Sequence, residues 1–452
     1  MRWSILAFAL SPPTLTYMTR TTRNSSRRLP SQPVNEDGDD APSLPSPSTK
    51  RRKKKLTSSS SYDSMPPLLD LGKLVRGTLV KRPSAVIRSP YVADVSLLDD
   101  SGKSTTKMKA ESSSKTATTL LAHAPALDVG GMCVVGSEIY LSERGGDGKT
   151  SHSIELVRGA PLRGIGIGML TTTSSNEDST GRGVLVGAHP RLGELIAEEV
   201  LKLGLLREAL PLKSGFELGP VNDINSSKKK ESPKKKASPK KGERTGDQSL
   251  QNSITTTTNA NIDNKTSPAT KINLSQQVTL GDSRVDFQIS LTQTRNSVDS
   301  SHRVVFEVKN VVCADFESGT EPTPSGPGDC IIVAPPSTSS SNNKKEGYQR
   351  SALFPWGRTR GQKFDGRPVV SERACKHLRN LQSLLDENVT PVVLFIVNRS
   401  DCQSVRACRE KCPVFAEILE DVVRSGVKAL AVRVRWTEEG QCFFDGIIPV
   451  HV

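Results

Sequence analysis

Two stretches of apolar alternation in the second half of the chain restrict what it can fold into. Val285, Phe287, Ile289 and Leu291 alternate with Asp286, Gln288 and Ser290, and Val304, Phe306 and Val308 alternate with Val305, Glu307 and Lys309. Such a period of two predicts strands packed on a core. Side chains change face at every residue along a strand, so Glu307 and Lys309 share one face. The polar stretch Gln293 to Ser301 reads as the hairpin loop between them, and pairing of the two strands sets Asp286 beside Glu307.

Two carboxylates a few ångströms apart repel, and a hard cation such as Mg²⁺ relieves that repulsion while gripping a phosphate oxygen. A neighbouring lysine then orients a water or offsets charge on the attacked phosphate. Asp286, Glu307 and Lys309 are therefore candidate catalytic residues, with Asp286 and Glu307 as metal ligands. The plainer reading of the spacing is a solvated hairpin face on which Asp, Glu and Lys merely alternate.

Beyond Arg350 the pattern predicts an α/β domain. Ser371 can cap a helix carrying Leu378, Leu381, Leu384 and Leu385 at helical spacing. Val392 to Val397 reads as a strand covered on both faces. Pro413 opens a second amphipathic helix, which Gly426 terminates, and Val427–Trp436 and Phe443–Val450 complete the sheet. The first of these helices presents Lys376 and His377, whose exposed face can reach a phosphate backbone, and a surface role is expected for His377.

Taken in order, Arg284-Val-Asp-Phe287, Phe306-Glu-Val-Lys-Asn310, Phe354-Pro355, Glu372-Arg373 with Lys376-His377-Leu378, and the apolar run Pro391–Val397 resemble the sugar fermentation stimulation protein A family. The resemblance is clear from Leu274 to Val452 and fainter from Leu71 to Leu218. It implies an OB-like β-barrel followed by an α/β domain similar to the PD-(D/E)xK nucleases, with DNA binding as the activity. It also implies that Asp286, Glu307 and Lys309 occupy the metal and catalytic positions, joined by a glutamate of the preceding helix, for which Glu198 matches best by spacing; a solvated helix glutamate is the alternative there. Arg373, Lys376 and His377 are the corresponding backbone contacts. The chain departs from the family pattern in several places. Trp356-Gly357 and a basic run to Arg367-Pro368 follow Phe354-Pro355, Ala374-Cys375 stand where glycine is expected, and His123-Ala-Pro-Ala-Leu-Asp128 replaces a His-Cys-Pro-Asn-Thr-Gly signature.

Only 35% of the 452 residues are hydrophobic and 4% aromatic, too few for a chain packed throughout. The net charge of +14 is concentrated in two tracts: Lys50–Lys55 supplies six positive charges, and Lys228–Lys241 supplies eight lysines against Glu231. Those tracts carry +13 of the +14, so the rest is near neutral. The second tract repeats Ser-Pro-Lys-Lys at Ser232–Lys235 and Ser238–Lys241, which resembles linker-histone tails. Lys234, Lys235, Lys240 and Lys241 can neutralise phosphates with salt-sensitive, sequence-independent affinity, and each Ser-Pro is a candidate phosphorylation site. The alternative is a low-complexity insert without a specific partner.

The expected organisation is a disordered basic segment over 1–65, a barrel over 66–160 and the nuclease-like domain over 180–452, interrupted by disordered inserts at about 219–273 and 318–350. Leu74–Val80, Val86–Leu98 and Cys133–Leu141 are the barrel's strand candidates. An OB-like face stacks bases on aromatic rings, for which only Tyr91 and Tyr140 are available. The eight cysteines contain no CxxC pair and read as free thiols in a reducing compartment. No apolar run reaches 18 residues, so no membrane span is expected. Residues 1–33 hold five arginines, ten Ser or Thr and no acid, a composition resembling a mitochondrial or plastid transit segment, whereas the lysine runs favour the nucleus.

Three functions follow: a protein that binds duplex DNA without sequence preference, a Mg²⁺-dependent endonuclease using Asp286, Glu307 and Lys309, and a protein-binding regulator. The first is favoured, because the triad is intact while its neighbourhood is altered.

Overall fold

Short β-branched and aromatic segments separated by Gly and Pro give the N-terminal part of the fold. The computed structural model describes residues 65–98, 119–125, 129–146, 148–159, 183–210, 212, 216, 254–256, 270–281, 283–295, 298–321, 331–334 and 348–452. After a short edge strand β1 (Leu69–Asp70), six strands make one sheet: β2 (Val75–Lys81), β3 (Val92–Leu97), β4 (Leu120–His123), β5 (Glu138–Glu143), β6 (His152–Arg158) and β7 (Leu185–Gly187). Their order is β4-β3-β2-β5-β6-β7, and β4 also pairs in parallel with β6, so five of them close a barrel. The expected small barrel is present. Its strand β6 escapes the sequence pattern because all seven of its residues are buried, polar ones included, which erases the alternation.

Helix α1 (Leu192–Lys202) follows. The eight-stranded main sheet contains β8 (Ile254–Thr256), β9 (Thr270–Leu280), β10 (Ser283–Arg295) and β11 (Val298–Val311). The ladder between β10 and β11 continues to Arg295 and Val298, so the predicted loop from Gln293 to Ser301 is mostly strand. Thr, Gln and Ser serve a solvated ladder as well as a loop, and their polarity hid it. Likewise β8 and the start of β9 fall inside the segment expected to be a disordered insert. The second expected insert contains Ile332, which is buried against Leu353 and Cys408.

The remaining elements are β12 (Ser351–Phe354), the small hairpin β13 (Lys363–Phe364) and β14 (Arg367–Pro368), α2 (Glu372–Ser383), β15 (Val389–Val397), β16 (Ser404–Ala407), α3 (Pro413–Ser425), β17 (Lys428–Trp436), β18 (Gln441–Ile448) and β19 (Val450–His451). The Ser371 side chain accepts from the Ala374 N–H at 3.2 Å, which satisfies one of the free donors at the start of α2. Pro413 begins α3 and Gly426 ends it in a left-handed conformation, φ 121°.

The main sheet runs β1-β18-β17-β15-β11-β10-β9-β8, with β11, β15 and β17 parallel. One face, with Phe287, Val304, Phe306, Val308, Leu394 and Ile396, packs on α1. The other, with Val305, Val393, Phe395 and Val397, packs on α2 and α3. Tyr140, Leu156 and Leu185 of the barrel sheet belong to the same hydrophobic cluster as α1 and the main sheet. At that seam Arg158 donates to the Tyr140 hydroxyl and to Glu438, each at 2.5 Å. No helix among the described residues is long and apolar enough to cross a membrane. The segments 1–64 and 217–253, with both lysine-rich tracts, lie outside the described residues.

Candidate functional site

The site forms where β10 parts from β11. Their ladder pairs Phe287 with Phe306 and ends there, so one step further Asp286 stands opposite Glu307. The Val308 N–H, left without a strand partner, donates to Asp286 Oδ2 at 2.7 Å. Glu307 and Lys309, 4% and 8% exposed, project on the α2 side of β11. Lys309 Nζ donates to Glu307 Oε1 at 2.5 Å, and His377 Nδ1 bonds to that same oxygen. Arg373 Nε donates to His377 Nε2 at 3.2 Å, which leaves the ring proton on Nδ1, facing Glu307.

Environment separates the two carboxylates. Burial and then repulsion from Glu307 push the Asp286 carboxyl up to about 6, against the pull of the Val308 N–H and of Lys309. Burial also pushes Glu307 upward, but the hydrogen bond from His377 and the Lys309 ammonium outweigh it and hold that carboxyl below its ordinary range. One carboxylate is thus held as an anion and its neighbour is poised to take a proton.

A cleft of about 500 Å³ opens over this centre, lined by Gln277, Arg284, Asp286, Arg373, Lys376 and His377 among others. A smaller chamber of about 200 Å³ continues from it and shares Asp286, Arg373 and His377. Pro190, Gly193 and Glu194, at the start of α1, close its far side. Close approach of helix to strand requires Gly193, because a Cβ there would lie 2.7 Å from the Asn310 Cβ. Asn310 in turn bonds to Asn398, which accepts from Trp436 Nε1 at 3.1 Å.

The structure brings together Asp286, Glu307, Lys309, Arg373 and His377, with Lys376 on the rim. It does not bring Glu198. That side chain pairs with Lys202 at 2.6 Å, and Glu194, one turn earlier on the same stripe of α1, is the glutamate that borders the chamber and raises the Asp286 carboxyl. His377 is not the surface residue expected, since its ring turns inward to Glu307. Lys376 pairs with Glu372 at 2.6 Å, both side chains well exposed. Lys234, Lys235, Lys240 and Lys241 lie outside the described residues. Tyr140 is withdrawn as a stacking platform by burial and by its bonds to Arg158 and Glu138. The seven described cysteines are buried and form no disulfide with one another.

Hard oxygen donors suit a cation such as Mg²⁺. One oxygen of Asp286 holds the Val308 N–H, and one of Glu307 is shared by Lys309 and His377; each carboxylate keeps a second oxygen for a ligand. Among the described residues no three His, Cys, Asp or Glu side chains converge into a ready metal-binding group. Asp286 and Glu307 thus offer two hard oxygen donors side by side, and Glu194 borders the same chamber without completing a three-residue set.

Fold and site together define a closed five-stranded barrel joined to an α/β domain with a carboxylate and lysine centre at the splayed end of a central strand pair. Residues 369–440 match the family model described as "Sugar fermentation stimulation protein RE domain", and over this C-terminal region the chain is similar to sugar fermentation stimulation protein homologs. Its match to the homolog from Pseudomonas fluorescens is 42% identical over 93 residues, 19% of this chain and 39% of that protein. For the homologs from Cyanothece sp. and Caulobacter vibrioides the values are 34% over 85 residues and 40% over 60 residues, 35% and 25% of those proteins. The chain thus matches about two fifths or less of these relatives' length. A solved structure described as "The structure of Pyrococcus Furiosus SfsA in complex with Ca2+" is similar at a TM-score of 0.44 and 12% identity, covering 86% of this chain and 100% of that one. The family match begins just before α2 and ends after β17, so it contains Arg373, Lys376 and His377 and leaves Asp286, Glu307 and Lys309 upstream.

Proposed function

We propose that this protein binds DNA along the cleft, through backbone phosphates and without base readout. The observation that carries this reading is the placement of Arg284, Arg373 and Lys376 around an open cleft whose floor is the Asp286, Glu307, Lys309 and His377 cluster. Cationic side chains on a concave rim attract a polyanion and release its counterions. The lysine-rich tracts, with Lys234, Lys235, Lys240 and Lys241, act as tethers that raise affinity, and they supply a nuclear address. Binding of a labelled duplex by fluorescence anisotropy tests the cleft. Arg373→Ala with Lys376→Ala is expected to weaken binding evenly across sequences and to lower the salt slope by about one unit per lost phosphate contact. Unchanged affinity and slope would remove the cleft from the interface.

Metal-dependent phosphodiester hydrolysis is the second reading, favoured by the upward shift of Asp286 beside Glu307. Asp286 and Glu307, with Glu194, would hold a divalent cation, which when bound polarises a phosphate oxygen and activates water. Lys309 lies beside Glu307 to offset charge developing on the phosphate, and His377, its tautomer set by Arg373, keeps Glu307 ionised and oriented. Nicking of supercoiled plasmid with Mg²⁺ or Mn²⁺ separates the readings: metal-dependent cutting abolished by Asp286→Ala establishes hydrolysis, and its absence at saturating DNA leaves binding alone.

A further inference from the structure

The barrel carries a cationic cluster that the cleft chemistry does not use. His123, at the end of β4, and His189, in the loop entering α1, present their rings edge to face with centroids 6.4 Å apart. Arg144, past the end of β5, and Arg191, the residue before α1, flank the two rings as exposed side chains. The acid facing both rings, Glu155 of β6, is buried and already engaged: its carboxylate accepts from the Ser142 hydroxyl at 2.8 Å and from Arg191 at 3.4 Å. The outward surface of the cluster is therefore basic. It is also continuous with the cleft, because Pro190, lying between His189 and Arg191 in the chain, lines the same chamber as Asp286 and Glu307.

We propose that His123, His189, Arg144 and Arg191 form a second phosphate-contact station on the barrel, which grips the backbone of the same DNA beyond the cleft. This rests on the nucleic-acid reading above and extends its footprint from the α/β domain to the barrel. A metal ion is a poor alternative occupant, since the Glu155 carboxylate is already engaged by Ser142 and Arg191 and two guanidinium groups repel a cation. A neutral imidazole pair between two guanidinium groups suits an arriving phosphate: His189, whose Nδ1 accepts the Arg191 N–H at 3.3 Å, donates from Nε2, and the phosphate's charge favours the protonated form of both rings.

The groups facing each ring fix the direction of the pH effect. Burial and Arg144 hold His123 below the ordinary imidazole range, with Glu155 opposing. For His189, burial leads, Glu155 opposes it, and Arg191, His123 and Arg144 add to the lowering. Both rings are thus neutral in the free protein near neutral pH, and phosphate binding raises their proton affinity. By linkage, DNA affinity gains from this station as pH falls.

The test is fluorescence anisotropy on the full chain with a labelled duplex of random sequence, at pH 7.5 and 5.5 and over a range of salt. The wild type is expected to tighten several-fold at pH 5.5. Asp286 on the cleft floor, raised to about 6, takes up a proton over the same interval, so the station is read from the difference: His123→Gln with His189→Gln should tighten clearly less than the wild type. Arg144→Gln, whose side chain donates to Thr150 at 2.9 Å, should lower the salt slope by about one unit. If the histidine variant tightens as the wild type does and Arg144→Gln keeps the full slope, the barrel station is overturned. Arg373→Ala with Lys376→Ala, measured alongside, reads the cleft separately: loss there with no effect at the barrel leaves the cleft reading standing and removes this one. Should the wild type bind at neither pH, both fall.

Discussion

Asp286 accepts the Val308 N–H at 2.7 Å, so a carboxylate occupies the place that the partner strand's carbonyl would take in an unbroken ladder. The splayed strand pair is held open by the side chain that the site uses, and this couples stability to site chemistry.

Replacing Asp286 by Asn should therefore stabilise the protein at neutral pH. The folded carboxyl is raised to about 6 from an ordinary value of 3.8, so between those values the folded state holds more protons than the unfolded one. Stability from this group is full below the unfolded value and is lost as pH rises through the folded one. A shift of that size corresponds to at most about 3 kcal/mol, reduced because the side chain is partly solvated. Urea unfolding at pH 4 and pH 7.5 is expected to give Asp286→Asn a gain of about 1–2 kcal/mol at the higher pH and little at the lower.

Lys309→Ala is expected to act in the opposite sense. It leaves Glu307 as a buried anion supported by His377 alone, and breaking such a pair typically costs about 3–5 kcal/mol. Lys309→Met with Glu307→Gln, which removes both charges, should recover most of the loss in the same unfolding measurement.

Gly193→Ala places a methyl 2.7 Å from the Asn310 Cβ, so α1 must move away from β11. Overpacking of this kind costs about 1–3 kcal/mol. Since α1 carries Glu194 along the chamber, the variant should also weaken Mn²⁺ binding measured by calorimetry.

The two glutamates of α1 should part company. Glu198→Ala removes a half-buried pair with Lys202, which keeps Glu199 as a partner, and is expected to change stability by no more than about 1 kcal/mol, with Mn²⁺ binding unaltered. Glu194→Ala should weaken Mn²⁺ binding and lower the Asp286 carboxyl, read by NMR titration, because one repelling charge is gone.

Removing residues 219–253 should lower the salt slope of DNA binding without unfolding the domain. Deletion through Asn273 would also take β8 and the first residues of β9, and is expected to destabilise the sheet edge. Comparing the two deletions by thermal melting and salt titration separates tether from strand.

How legible the chain was depended on how local each signal was. Helices α2 and α3 could be read because their caps, Ser371, Pro413 and Gly426, sit beside periodic apolar residues, and β15 because an unbroken apolar run has few uses. The partnership of Asp286 with Glu307 also followed from alternation. Choosing between Glu194 and Glu198 did not, since both lie on one helical stripe and the close contact of Gly193 with Asn310 selects the first turn. The inward turn of His377 depends on Glu307, seventy positions away, and helical spacing alone leaves that residue at the border between surface and core. The barrel's β6 was hidden by burial of both its faces, and the end of the β10 and β11 ladder by polar residues that suit a loop equally well.

Tyr140, Leu156 and Leu185 share a cluster with α1 and the main sheet, and Arg158 spans the same seam to Glu438. The barrel is for that reason not an exchangeable module. Grafting a relative's barrel onto this α/β domain would replace only one half of a common interior, so substitutions along the seam can persist only when matched from the other side, and the two halves are bound to diversify together.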